Sequence, residues 1–306
     1  MCTECGCGLP GDKPPKILGH SHDHGHSHHH HHGHGHGHHH EDEHGHGHGH
    51  THEHPALEDG NELNNTTSLL ARAGEEVGAA PKRHVAVHRS ILDKNNRQAE
   101  RNRGFFHARG LLVLNILSSP GSGKTTLIRE TIRALDKRLK TAVIVGDLET
   151  DNDARRLREA AAEVVQITTG TVCHLEAEMV ARAVKQLHLE GVQLLIIENV
   201  GNLVCPASYD LGEDLRVVLL SVTEGEDKPL KYPPMFQSAR AMVVSKIDLA
   251  EVCEYNRASA QANLQRLAPA APIFEVSAKT GKGMREWCEF LVEQQKKLAS
   301  RDPLAG

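Results

Sequence analysis

Three groups of residues in this chain have the types and spacing to do chemistry. The first is Ser118-Ser-Pro-Gly121-Ser122-Gly123-Lys124-Thr125-Thr126, directly after the apolar run Leu111–Leu117. Glycines at 121 and 123 let the backbone turn so that successive N–H groups, with Ser122 and Thr126 between and beyond them, face one point. A helix starting there adds the positive end of its dipole. The ligand such a cradle fits is a phosphate chain. Lys124 would reach its β- and γ-phosphates and Thr125 would ligate Mg²⁺. The usual pattern opens with Gly, where this chain has Ser118. The strand–loop–helix setting still favours a P-loop over an ordinary Gly-rich turn.

The second group reads a base and senses a phosphate. Ser245-Lys246-Ile-Asp248 follows an apolar run, and Ser277-Ala278-Lys279 follows another. Asp248 can accept two hydrogen bonds from guanine N1–H and its exocyclic amine, a pair adenine does not offer, while Lys246 packs along the ring. Two base motifs in this order behind one P-loop predict GTP rather than ATP, and argue against a nucleoside kinase. Asp147 ends Gly146-Asp147, and Glu198-Asn-Val-Gly201 ends another strand. Glu198 reads as a carboxylate behind Mg²⁺, Gly201 as an N–H contact to the γ-phosphate. Asp147 reads as a Mg²⁺ ligand or a water-orienting group, with a solvated turn as the plain alternative. Asn202 is a short amide where many GTPases place Gln, and no arginine finger stands out in the sequence. Slow intrinsic hydrolysis is expected, at about 10⁻⁴–10⁻² s⁻¹.

The third group is sulfur and imidazole. Cys2, Cys5 and Cys7 can close on one ion; a compact thiolate set suits Ni²⁺, and tetrahedral Zn²⁺ or a redox pair are the alternatives. Residues 20–54 hold 20 of the 25 His, interleaved mostly with Gly. The mosaic is unlike a purification tag and suits storage of several ions, with capacity falling below about pH 6.5 as imidazole protonates. Cys173-His174 and Cys205 lie in loops expected at the nucleotide edge, where they can converge on one ion; a buried thiol and a helix-start His are the plain alternatives.

The elements that must position these groups alternate. Short apolar runs predict strands at Leu111–Leu117, Ala142–Val145, Val164–Ile167, Val192–Ile197, Val217–Val222, Ala241–Val244 and Ile273–Val276. Helical stretches separate most of them, and Val85 to His107 reads as a helix leading in. That is an α/β chain with a doubly wound, mostly parallel sheet of about seven strands, whose ligands bind at the carboxyl ends of the strands. The His/Gly tract has almost no apolar side chains with which to offset its backbone entropy, so it is expected to be disordered. The domain reading is therefore a Cys motif at 1–7, a His-rich tract and linker at 8–84, and a G domain at 85–306. The 306 residues carry a net charge of −5 with no basic block, which speaks against a nucleic-acid partner. No apolar run approaches the ~18 residues of a membrane span. Neither a signal peptide nor disulfide usage is suggested, and a cytoplasmic protein is expected.

With these residues assembled, the chain resembles the HypB family of hydrogenase maturation GTPases. The matching parts are Cys-x-x-Cys-x-Cys, the His-rich insert, Ser-Pro-Gly-Ser-Gly-Lys-Thr-Thr, Gly-Asp-Leu-Glu-Thr-Asp-Asn-Asp, Thr-Val-Cys-His and Glu-Asn-Val-Gly-Asn-Leu-Val-Cys-Pro, covering residues 105–300 and the first seven. The resemblance implies a SIMIBI-class P-loop G domain and a homodimer promoted by GTP or metal. It also implies a nickel site at Cys2, Cys5 and Cys7, and a second site for zinc or nickel at Cys173, His174 and Cys205. The implied partners are a small zinc-containing maturation protein and the hydrogenase large subunit. A urease-type nickel GTPase and a nickel storage protein are the competing functions.

Overall fold

A computed structural model describes residues 16–18, 80–135, 138–147, 152–160 and 163–300; of 16–18, 80–88 and 152 it describes the backbone alone. Cys2, Cys5, Cys7 and the His tract lie outside the described residues.

Seven strands form a parallel sheet: β2 (Leu112–Leu117), β3 (Thr141–Asp147), β4 (Glu163–Thr168), β5 (Leu194–Glu198), β6 (Leu215–Ser221), β7 (Ala241–Ser245) and β8 (Ile273–Glu275). Each expected apolar run became one of them. An eighth strand, β1 (Lys16–Leu18), pairs antiparallel with β4 at the sheet edge, so the order is β1-β4-β3-β5-β2-β6-β7-β8. The strand was not expected, because the sequence around it is polar. Ile17 and Leu18 are the local apolar exception, and an edge strand offers unpaired backbone groups to any such segment.

The helices are α1 (Ala80–His107), α2 (Lys124–Leu135), α3 (Asn152–Arg158), α4 (Ala177–Val184), α5 (Lys228–Lys231), α6 (Pro233–Gln237), α7 (Arg257–Leu267) and α8 (Met284–Ala299). Within 8–84, then, β1 and the first residues of α1 have regular structure. The short helices α5 and α6 were not expected, since Pro229, Pro233 and Pro234 read as a loop; all three Pro sit in a first helical turn, where the missing N–H costs nothing.

Alternation within fully buried strands fills both faces. Leu112, Leu114 and Ile116 pack with α2 and with Trp287 of α8. Leu111 and Val113 face the other way, against Phe106 of α1 and Val180 of α4. Met242 and Val244 pack against Phe236 of α6 and Leu264 of α7. The connections reverse direction beside β2, which lies between β5 and β6, and the crevice this leaves at the carboxyl ends is where an open α/β sheet takes its ligand.

α1 is clamped to what lies behind that edge. Asn102 Nδ2 donates to Ala177 O at 2.8 Å and Leu211 O at 3.0 Å, and Asn95 Oδ1 accepts from Ala177 N at 2.9 Å. Arg103 grips Asp210 with both carboxylate oxygens at 2.8–2.9 Å. These bonds hold the start of α4 and the loop after residue 205. Asn102→Ala removes the side-chain donor shared by two buried carbonyls, so thermal or urea unfolding should show a loss of about 1–3 kcal/mol, with GDP affinity unchanged.

Candidate functional site

The P-loop begins where β2 ends. Gly121 (φ 73°) and Gly123 (φ 95°) take left-handed conformations that other residues rarely adopt. Lys124 opens α2, is buried, and donates to Ser118 Oγ at 3.0 Å, while Ser122 Oγ donates to the same oxygen. The residue that departs from the usual pattern thus holds the lysine and the loop together. Burial lowers the Lys124 pKa against the pull of Glu198, Asp153, Glu224 and Asp147.

Thr125 Oγ1 donates to Glu198 Oε1 at 2.7 Å. Glu198 is 3 % exposed, and burial pushes its pKa up to about 7, opposed by Lys124 and Thr125. Its Oε2 is buried without a hydrogen-bond partner. Asp147 and Asp153 line the same cleft of about 390 Å³. Hard oxygen donors around one buried, unsatisfied carboxylate oxygen suit Mg²⁺, which Thr125 would hold with these carboxylates behind it. Asp153 and Arg156, on α3, were not singled out from the sequence; their three-residue spacing puts them on one helical face toward the cleft. A larger hollow, about 1020 Å³, lies at the other end of the sheet between α1, α4 and α8, and contains none of these motifs.

The base motifs are tied to the P-loop. Lys246 (φ 58°) donates from Nζ to Gly121 O at 2.7 Å, and Ser245 Oγ donates to Ser122 O at 2.8 Å. Ser277 Oγ donates to Asp248 Oδ1 at 2.6 Å and accepts from Thr280 N at 3.1 Å. Ala278 and Lys279 follow in the same turn. Ser245, which opens the first base motif, is thereby a structural tie to the phosphate loop.

Of the third group, Cys173, His174 and Cys205 come together. Cys173 and Cys205 sulfurs are 2.9 Å apart, and the donor atoms of Cys173, His174 and Cys205 all lie within 4.8 Å of one another. His174 is 1 % exposed and its ring stacks on Tyr209 at 3.9 Å. Glu176 Oε1 is 3.8 Å from His174 Nε2, an ion-pair distance too long for a hydrogen bond, so both ring nitrogens are buried without a hydrogen-bond partner. These three donors could hold a metal ion.

Between the cleft and the sulfurs runs the segment from Glu198 to Cys205. Gly201 lines the cleft, and a Cβ there would stand 3.0 Å from Pro120 Cα, so the segment touches the P-loop backbone. Asn199 Oδ1 accepts from Leu175 N at 3.3 Å and Val200 N at 2.9 Å, and its Nδ2 donates to Asn115 Oδ1 at 3.2 Å. Asn202 does not line the cleft: Nδ2 donates to Cys173 O at 3.3 Å and Oδ1 accepts from Val204 N at 2.9 Å. Neither side chain's role could be read from its type alone.

A nucleotide cleft and a sulfur–imidazole cluster joined by one segment are the parts on which the chain can be compared with known proteins. Residues 112–275 match the family model for the CobW/HypB/UreG nucleotide-binding domain. The Escherichia coli K12 hydrogenase maturation factor HypB is 49% identical over 218 residues, 71% of this chain and 75% of that one. This chain belongs to the HypB family. The Helicobacter pylori hydrogenase/urease maturation factor HypB is 46% identical over 219 residues, 70% of this chain and 90% of that one. Among solved structures, Helicobacter pylori HypB in complex with nickel superposes with a TM-score of 0.64 at 44% identity, covering 67% of this chain and 96% of that one. Archaeoglobus fulgidus HypB gives 0.63 at 39%, covering 66% and 99%. The matched stretch is the P-loop domain; among the described residues no helix is long and apolar enough to cross a membrane.

Gly201→Ala should push the segment off Pro120. Titrations with GDP and a non-hydrolysable GTP analogue should find analogue affinity reduced about tenfold or more, with GDP affinity nearly unchanged.

Proposed function

We propose that this HypB-family chain is a slow GTPase that carries nickel toward the [NiFe]-hydrogenase large-subunit precursor, with hydrolysis changing its hold on the metal. The observation that supports this most is that Gly201 borders the phosphate cleft while Cys205, on the same segment, meets Cys173. Lys124 and the P-loop amides bind the β- and γ-phosphates, Asp248 and the Ser277–Lys279 turn select guanine, and Lys246 covers the base. Thr125, with Asp147 and Glu198 behind it, would hold Mg²⁺, which would supply charge screening of the phosphates. Loss of the γ-phosphate removes the Gly201 contact and frees the segment to shift Cys205.

Nickel is cargo in this reading. Three protein donors leave a coordination position open, which suits an ion that must leave; a closed four-donor set suits a permanent structural zinc. Zinc can occupy the same donors. Cys2, Cys5 and Cys7 form the entry site, and residues 20–54 buffer nickel. The protein works in the cytoplasm as a GTP- or metal-promoted homodimer, with a small zinc-containing maturation protein as partner. A second reading has one specific support: the 46% identical Helicobacter pylori relative is named for urease as well as hydrogenase. The same delivery route would then serve urease.

The test is the nickel content of hydrogenase and urease in cells carrying the unaltered chain, a Cys205→Ser chain, or a chain lacking residues 20–54. Cys205→Ser should leave hydrogenase largely nickel-free although GTP binds normally. The deletion should matter only when nickel is scarce. Hydrogenase fully loaded in the Cys205→Ser strain would contradict the proposal.

A further inference from the structure

Among the described residues, two basic side chains line the phosphate cleft, and they differ in kind. Lys124 is buried and its Nζ is held by Ser118 Oγ at 3.0 Å. Arg156 is at the rim, its side chain 62% exposed, and its Nη1 stands 3.5 Å from Asp153 Oδ1. On α3, Ala154 and Leu157 are buried in the core, which turns the 153/156 face outward to the cleft, beside Gly146, Asp147 and Gly201. An exposed ion pair at that distance is weak, whereas a guanidinium fork on phosphate oxygens is a charge-assisted, two-point contact.

The other candidate for assisting the reaction is already occupied. Asn202, next after Gly201, spends both ends of its amide on Cys173 O and Val204 N. Charge that develops on the γ-phosphoryl group therefore has to be met by a group other than that amide.

We infer that Arg156 is a catalytic arginine supplied in cis, exchanging its Asp153 partner for the γ-phosphate of bound GTP. The assignment rests on the GTPase reading above. In the reaction, a water oxygen forms a bond to the γ-phosphorus and the bond to the β–γ bridging oxygen breaks. GDP leaves with that electron pair, and the water's proton goes to the released phosphate. The fork of Arg156 neutralises charge on the oxygens during transfer, and Asp153, relieved of its partner, faces the cation side of the cleft with Asp147. An arginine in cis accompanies rates of about 10⁻² s⁻¹ in GTPases working without a partner protein, so the assignment is compatible with slow turnover.

The experiment is single-turnover GTP hydrolysis by the full chain, compared with Arg156→Ala, Arg156→Lys and Arg155→Ala, alongside GDP affinity and binding of the GDP–aluminium fluoride complex. Arg156→Ala should slow hydrolysis about 10- to 100-fold, keep GDP affinity within about twofold, and lose the aluminium fluoride complex. Arg156→Lys should recover only part of the rate, since an ammonium is a single point of charge. Arg155→Ala, one residue along and outside the cleft lining, should behave as the unaltered chain. A fall smaller than threefold for Arg156→Ala, or full activity in Arg156→Lys, would overturn the assignment. Absence of hydrolysis by the unaltered chain would strike down the GTPase reading, and this assignment with it.

Discussion

The segment from Glu198 to Cys205 is held at both ends by different chemistry, and that constraint organises everything else. At one end Glu198 meets the Thr125 hydroxyl and Gly201 lies against Pro120; at the other Cys205 meets Cys173. The middle is not slack. Asn199 binds Asn115 of β2 and the amide of Leu175, so the strand under the P-loop, the sensing segment and the cysteine loop share one buried polar network. Each such bond contributes about 1 kcal/mol net, but leaving a buried partner unmet costs about 1–3 kcal/mol. In the proposed mechanism, this network is the route by which a displacement at Gly201 reaches the loop of Cys173, whose carbonyl also accepts from Asn202. Coupling between two sites commonly amounts to about 1–3 kcal/mol, or 5- to 150-fold in affinity. A network of this size is sufficient for that.

The sheet makes the arrangement possible. All seven parallel strands deliver their following loops to one edge, so the P-loop after β2, Asp147 at the end of β3, Cys173 beyond β4 and Glu198 at the end of β5 arrive there together. α1 closes the back of the cluster through Asn95, Asn102 and Arg103, which bind the start of α4 and the loop around Asp210. The cleft is rich in negative charge: burial keeps the Glu198 pKa near 7 while Lys124, itself lowered, stands as its main electrostatic counterweight. A cation and a phosphate chain relieve that balance together better than either does alone.

Much of this was legible in residue order. Strands in a parallel sheet are buried on both faces and read as apolar runs, and the P-loop and base motifs depend on local backbone and a few side chains, so Lys124, Thr125, Lys246 and Asp248 fall where their spacing put them. The convergence of Cys173, His174 and Cys205 followed from knowing which edge the two loops leave. What was not legible depends on orientation. Asn202 looked like a poor substitute for a water-positioning amide and is instead a brace between two loops; nothing in its type or place distinguishes those roles. Ser118 looked like a departure from its motif and is a hydrogen-bonding partner within the phosphate loop, and Ser245 at the end of β7 ties the base motif to that loop. Arg156 is one of several arginines on a short helix, and only the packing of Ala154 and Leu157 decides which of them faces the cleft. β1 depends on an edge left open by a strand far away in sequence.

In the proposed mechanism, phosphate state and metal affinity are joined through that one segment. Nickel titration of a full-length Cys2→Ser, Cys5→Ser, Cys7→Ser variant, followed by thiolate-to-nickel absorption so that the imidazoles of the His tract stay silent, measures the joint directly. Affinity at Cys173, His174 and Cys205 should differ at least fivefold between the GDP-bound form and the form holding a non-hydrolysable GTP analogue. The same affinity in both forms would show that the nucleotide and the metal do not communicate.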